Sequence, residues 1–283
     1  MRDFEDPELL TALRSILPER DPVSHVERKV WEFAMLALFL EDVGRLHDGT
    51  EVLSVGAGDE RILFWLANRV GRVVATDIYG EGVFEGNEAD RSMLEDPRAH
   101  APYPYREDRL EVMQMDGREL RFPDASFDVV FTLSSIEHFG SPEDVARSAR
   151  EIGRVLRPGG HAVIVTDCLV RLHPLDRGPA EAAIRLLTLG RRNAGATPLR
   201  RNVLDETFTP RELQARIVEP SGLRLMQPLD LAVSAESWDN VILLANGEVV
   251  PRTGKPYPHI LVQTSRSVFT SVCLVLERPT AAR

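Results

Sequence analysis

At 283 residues the chain can hold one sizeable core, or a core with an elaborated cap. Hydrophobic residues at 43% and charged residues at 28% describe an ordinary globular composition, and the best apolar run, Phe33 to Leu40, falls well short of the ~20 residues a membrane-spanning helix needs. With 34 basic against 44 acidic side chains the net charge is −10, which argues against a nucleic-acid partner; the one basic stretch, Arg191 to Arg201, reads as a solvated loop. The acidic start, Met1-Arg2-Asp3-Phe4-Glu5-Asp6, carries no apolar signal core, so a cytoplasmic protein is expected.

In chain order, Pro7 to Leu17 places Leu9, Leu10, Leu13, Ile16 and Leu17 at helical spacing and stops at Pro18. A second helix is predicted from a cap at Ser24 to about Gly44, with Trp31 as a core residue. From Glu51 the pattern becomes alternating strands and helices. Strands are expected at Glu51 to Val55, Arg72 to Thr76, Leu110 to Met115, Phe127 to Thr132 and His161 to Thr166. Between them lie helices at Arg61 to Asn68, a short one around Glu88 to Glu95, and Pro142 to Leu156, the last closed by a turn at Arg157-Pro158-Gly159-Gly160. Short strands alternating with helices imply a parallel sheet covered on both faces, an α/β fold. Beyond Asp167 the signal weakens: a short helix at Pro179 to Leu189, another capped by Thr209 with Pro210 at its first position, and late strands at Leu223 to Leu229 and Val268 to Leu276 around a Pro-rich loop, Pro251 to Pro258. Cys168 and Cys273 sit in strand-like runs without paired spacing and read as buried, reduced thiols.

Three residue groups fall at strand ends, where open α/β sheets bind ligands. Gly56-Ala57-Gly58 follows the first strand and opens a helix, letting backbone approach a ligand closely. Asp77 ends the second strand about twenty residues on, where a carboxylate can accept from both ribose hydroxyls. Asp116-Gly117 ends the third, where a carboxylate can accept from an adenine amino group and an Asp-Gly pair can equally be a plain turn. The third glycine of the dinucleotide pattern is replaced by Glu60, which counts against a pyrophosphate ligand.

The stretch from Val52 to Thr166 resembles class I S-adenosylmethionine (SAM) dependent methyltransferases, especially the small-molecule branch that includes ubiquinone and menaquinone biosynthesis enzymes. Val52-Leu-Ser-Val-Gly-Ala-Gly58, Ala75-Thr-Asp77, Met115-Asp-Gly117 with Leu120 to Val130, and Arg154-Val-Leu-Arg-Pro-Gly-Gly160 carry the resemblance, and Phe208-Thr-Pro-Arg-Glu-Leu-Gln resembles a later helix of the family. It implies a Rossmann-like seven-stranded, mostly parallel sheet with helices on both faces, whose last strand enters antiparallel. It implies SAM as cofactor, with Gly56, Ala57 and Gly58 beside the methionine part, Asp77 and Ile78 at the ribose, Asp116 and Gly117 at the adenine, and Leu133 and Ser134 on the sulfonium side. Two positions depart from the family: Ser54 stands where an acidic residue is frequent, and Glu60 replaces a glycine. Glu60 is a candidate for the amino group of the methionine part.

Glu137 and His138 match two members of a metal-assisting Glu/His set in the quinone branch, but Ser134 replaces its earlier Glu, so no metal site is expected. His138 is the candidate base for the acceptor's proton, with a packing role standing beside it as the alternative. His173, Arg171, Trp238, Tyr257 and His259 fall in regions suited to covering an acceptor. The expected division is residues 1–48 as a helical extension, 49–170 as the SAM-binding core, and 171–283 as substrate cap and final strands. The expected activity is methyl transfer to a small polar acceptor, most simply at oxygen. The partner is then a small-molecule methyl acceptor, without nucleic acid or membrane, and a homodimer stays open. A nicotinamide-dependent oxidoreductase and a non-catalytic SAM-binding partner protein are the alternatives.

Overall fold

The computed structural model describes residues 2–80, 89–177, 183, 186–188, 203–245, 248–250 and 258–280. The basic stretch at 191–201, most of the helix expected at 179–189, Glu88, Tyr257 and most of the Pro-rich loop lie outside them.

The first helix, α1, runs Pro7–Ile16 and is capped by Asp6, whose carboxylate accepts the Glu8 N–H at 2.8 Å. Its partner α2 runs Arg28–Asp42 rather than starting at Ser24. The difference has a long-range cause. Backbone groups before Arg28 are drawn into an extended pairing with His259, which donates its N–H to Val26 and accepts the N–H of Arg28. Trp31 is half-buried rather than fully enclosed, because its indole N–H reaches Asp3 at 2.7 Å.

The strands of the sheet are β1 Glu51–Val55, β2 Arg72–Asp77, β3 Leu110–Gln114, β4 Phe127–Leu133, β5 Leu156–Arg171, β6 Arg224–Leu225, β7 Ile242–Ala245, β8 Glu248–Val250, β9 Val262–Thr264 and β10 Ser267–Glu277. Nine of them run in the order β3-β2-β1-β4-β5-β10-β9-β7-β8, with β6 beside β10. The five pattern-derived strands β1 to β5 are parallel neighbours, and β10 enters antiparallel against β5. The sheet is therefore wider than the seven strands expected. The additions β7, β8 and β9 are three or four residues each and extend the edge beyond β10. Strands that short carry little periodicity for a sequence reading to use.

Alternation along each central strand divides the core. Val52, Val73, Ala75, Val129, Phe131, Val163 and Val165 pack with α1, α2, α3 (Arg61–Ala67) and the short α4 (Ser92–Glu95) on one face. Leu53, Val55, Val74, Val130, Ala162 and Ile164 pack on the other against α5 (Pro142–Val155) and the helical segment that begins at Pro210. Because both faces are covered, the strands read as unbroken apolar runs. The capping predicted at Thr209 is present: its hydroxyl accepts the Glu212 N–H while Glu212 reaches back to the Thr209 N–H.

The Arg157-Pro158-Gly159-Gly160 segment is not a separate turn before β5 but lies inside it. Phe127 pairs with Leu156 and the ladder resumes at Val129 with His161, so the extra residues bulge out of register. Cys168 and Cys273 lie on β5 and β10 as free thiols that burial pushes up to about 12, far from thiolate reactivity. No helix among the described residues is long and apolar enough to cross a membrane.

Candidate active site

The site is built on the carboxyl ends of β1 to β5. After β1 the chain turns through Gly56-Ala57-Gly58, and the N–H groups of Gly56 and Ala57 both donate to the Thr76 carbonyl, at 2.8 and 3.0 Å. That ties the turn to β2. Gly56 takes φ +70°, and a Cβ there would run into the Ser135 side chain, so only glycine fits. Gly58 takes φ +52°, and a Cβ on it would meet nothing within 4 Å. The turn is packed on one side and open on the other, which suits backbone approach to a ligand. Ser54 lies beneath it, buried within β1; its carbonyl accepts the Thr76 hydroxyl at 2.8 Å, while its own hydroxyl has no hydrogen-bond partner.

Asp77 closes β2. One carboxylate oxygen accepts the Gly58 N–H at 2.9 Å and the other the Ile78 N–H at 2.7 Å. Burial raises its carboxyl above the usual range, and the backbone N–H groups of Gly58, Ile78 and Tyr79 pull it only part of the way back. The Tyr79 hydroxyl donates to the Gly58 carbonyl at 3.1 Å. The glycine turn and the carboxylate expected at the ribose are thus one hydrogen-bonded unit.

At the end of β3, the Met115 N–H donates to the Asp77 carbonyl, setting Asp116 and Gly117 beside β2. Asp116 is already engaged. The Arg118 guanidinium donates to both its oxygens at 2.6 to 3.0 Å and holds the carboxyl below its usual range, so any adenine contact shares the group with an ion pair. Gly117 is enclosed between Val55 and Phe139, where a Cβ would be too close to both.

Beyond β4, Leu133 and Ser134 meet side chains from α2 that sequence reading left out. The Leu133 carbonyl accepts from the Lys29 ammonium at 2.9 Å, and the Ser134 hydroxyl donates to Glu32 at 2.7 Å. Ser134 takes φ +49°, a left-handed conformation held by these contacts. Glu60 sits against the same ammonium as a close ion pair. Glu32 is almost wholly buried, at 1% exposure, and also accepts the Ser271 hydroxyl at 2.7 Å. A glutamate inside the apolar run Val30-Trp31-Glu32-Phe33-Ala34 was the available signal for this site.

His138 stands at the neighbouring edge with its side chain exposed and its Nδ1 3.1 Å from a Glu206 carboxylate oxygen. Glu137, one residue earlier, is buried and accepts the Thr166 hydroxyl at 2.8 Å; Asp167 forms an ion pair with Arg28. Burial raises both carboxyls. Burial also pulls His138 down, but the Glu206 hydrogen bond and the charges of Glu137, Glu206 and Asp167 outweigh it, leaving the imidazole above its usual value. Of the other candidates, His259 joins the start of α2 next to Arg28, Arg171 stacks over Trp238 at 5.1 Å, and the His173 N–H donates to Ser267.

Residues 53–164 match the family model described as Methyltransferase domain. Residues 53–164 are a class I SAM-dependent methyltransferase domain. Methyltransferase GfsG of Streptomyces halstedii is 33% identical over 44% of this chain and 39% of its own, and a phosphatidylethanolamine N-methyltransferase of Cereibacter sphaeroides is 32% identical over 49% and 59%. The matched part spans about two fifths to three fifths of these relatives' length. A geranyl diphosphate C-methyltransferase of Streptomyces coelicolor A3(2), solved with S-adenosyl-L-homocysteine, superposes with a TM-score of 0.50 at 14% identity over 87% of this chain and 77% of its own. That likeness is one of fold. The cofactor of the methyltransferase domain is SAM, and the chain offers what such a group needs: an open glycine turn, a carboxylate at the end of β2, and a buried Glu60 oxygen without a hydrogen-bond partner. The nicotinamide alternative falls with the family match.

Proposed function

We propose that this chain transfers a methyl group from SAM to a hydroxyl oxygen of a small polar acceptor, with His138 as the base. The observation that carries the reading is the exposed His138 imidazole, held through Nδ1 by Glu206 at the carboxyl edge of the sheet, one strand along from the glycine turn. A hydroxyl must lose its proton as it attacks, and imidazole is the side chain suited to accept one near neutral pH.

SAM supplies a methyl group already activated on a sulfonium. The chain's task is then to hold, align and exclude water, which in favourable cases accounts for ~7–11 kcal/mol of a barrier. Asp77 would take the ribose hydroxyls, Gly56 to Gly58 the methionine part, and Asp116 the adenine edge. Leu133 and Ser134, fixed by Lys29 and Glu32, would wall the methyl-bearing side. His138 would take the hydroxyl proton at Nε2 while Glu206 balances the imidazolium charge. Residues 1–48 and 171–283 would enclose the acceptor, since α2 and the Glu206 segment both bring side chains to this edge.

The related proteins' names span nitrogen, carbon and oxygen acceptors, so it is His138 that favours oxygen here. The test is transfer of labelled methyl from SAM to a panel of sugars, phenols, amines and polyketide-like alcohols, after calorimetric titration with SAM, S-adenosylhomocysteine and NAD. Methylated hydroxyls that disappear with His138→Ala support the reading. Methylation of amines alone, or cofactor binding without turnover on any extract, overturns it in favour of N-transfer or of a non-catalytic partner.

A further inference from the structure

The Lys29 ammonium is surrounded by more negative charge than it neutralises. It donates to the Leu133 carbonyl at 2.9 Å, forms a close ion pair with one Glu60 oxygen, and lies 3.4 Å from Glu32 Oε2. The other Glu60 oxygen and Glu32 Oε2 are both buried without a hydrogen-bond partner. A buried carboxylate oxygen left unpaired is costly, and a native structure that keeps one generally gives it a partner at some stage of its function. The cluster is not sealed. The Lys29 side chain is 39% exposed while that of Glu60 is 10% exposed, so the ammonium is reachable and the carboxylate sits behind it. Glu60 directly precedes α3, two residues after Gly58, the glycine with open space in front of it.

We propose that Lys29 and Glu60 read the zwitterionic methionine end of SAM, Lys29 meeting its carboxylate and Glu60 its ammonium. The inference rests on the reading of the Gly56 to Gly58 turn as the methionine end of the cofactor site. A ligand carrying an ammonium and a carboxylate on one carbon meets both partners at once: its ammonium reaches the unpaired Glu60 oxygen, and its carboxylate approaches the exposed side of the Lys29 ammonium. A sulfur nucleoside with neither charge leaves the cluster as it stands. The site then separates SAM and S-adenosylhomocysteine from 5′-methylthioadenosine, which shares their adenosine and sulfur. Glu60 supplies a second signature. Burial pushes it up to about 7 against the pull of Lys29, with Glu32 on α2 and Asp77 on β2 adding negative charge. A bound ammonium lowers it again, so binding at pH 7 releases protons.

The test is calorimetry on the full chain with four probes: S-adenosylhomocysteine, 5′-methylthioadenosine, 5′-S-(3-aminopropyl)thioadenosine, which lacks the carboxylate, and 5′-S-(3-carboxypropyl)thioadenosine, which lacks the ammonium. The wild type should bind S-adenosylhomocysteine roughly 10- to 100-fold more tightly than either single-charge analogue. Lys29→Met should erase the preference over the aminopropyl compound, and Glu60→Gln the preference over the carboxypropyl compound. The wild-type binding enthalpy should differ between phosphate and Tris, and Glu60→Gln should remove most of that difference. The wild-type probe series stands without any variant, so a substitution that unfolds the chain does not rescue the idea. Equal wild-type affinity for S-adenosylhomocysteine and both analogues overturns the clamp while leaving the cofactor reading intact. If no adenosyl probe binds, both fall.

Discussion

Asp77 commits its two oxygens to the Gly58 and Ile78 N–H groups before any ligand arrives. On the proposed reading, replacing it removes the ribose acceptors and loosens the glycine turn together. Asp77→Ala should weaken S-adenosylhomocysteine binding by roughly 1.5–3 kcal/mol, the range for charge-assisted hydrogen bonds. Titration calorimetry on a variant with native circular dichroism decides it, and an unchanged affinity removes Asp77 from the site. His138 carries a prediction of different kind. Burial pulls it down, but the Glu206 hydrogen bond and neighbouring carboxylates outweigh that and leave its pKa above the usual histidine value, so the imidazole becomes available as a base only as pH rises. Acceptor-dependent turnover should accordingly climb through an apparent pKa above 6.5, the usual histidine value. Glu206→Gln should move that limb to lower pH, and His138→Ala should depress turnover with cofactor affinity nearly intact. A pH–rate profile unmoved by Glu206→Gln, or normal turnover without His138, would remove the pair from the chemistry.

At the scale of elements, α5 and the segment after Pro210 approach closely at Gly153. A Cβ on Gly153 would collide with the Ser221 carbonyl, so the glycine lets two backbones touch where a side chain would hold them apart. Gly153→Ala would improve helix propensity in isolation, by up to ~1 kcal/mol. In the fold it should instead destabilise by about 1–3 kcal/mol, the usual cost of overpacking. Urea unfolding settles the sign: a stabilised variant would mean the two segments separate freely. The same scale explains why β5 is longer than its apolar run. From Phe269 to Glu277, β10 pairs with β5 without a register shift, carrying β5 past Thr166 to Leu169, and Val268 pairs with Arg171 across the shift.

For the whole molecule, the carboxylates gathered at the sheet edge set the pH dependence of stability. Glu60, Glu137 and Asp167 have carboxyls raised by burial. The folded state then holds protons that the unfolded chain has already released, so stability falls as pH rises from the unfolded carboxylate range through the raised values. His138, also raised, adds to the loss on the same side. His259, pushed down to about 4 by burial, acts oppositely, but its contribution is complete once pH exceeds the normal histidine value. Between about pH 6.5 and 8 the ligand-free protein should therefore lose stability, with Glu60→Gln and Glu137→Gln flattening the slope. Denaturant midpoints across that range measure it, and a midpoint that rises with pH would contradict the assignment of raised carboxyls.

The central fold was legible because its signals are local. Strand β1 was bounded correctly at Glu51 and Val55 by an unbroken buried run, and the Thr209–Glu212 capping pair announced its helix. The three strand-end groups Gly56 to Gly58, Asp77 and Asp116 were likewise readable, because α/β topology brings strand ends to one edge whatever the intervening chain does. Lys29 against Glu60, Glu32 against Ser134 and Ser271, Arg28 against Asp167 and Glu206 against His138 were not. Those pairs join residues 31 to 239 positions apart, and no spacing rule links them. Chain order thus determined the central strands and the glycine turn; only packing of α2 and the Glu206 segment over the sheet decided which charges meet there, because buried charges must find partners in space rather than along the sequence.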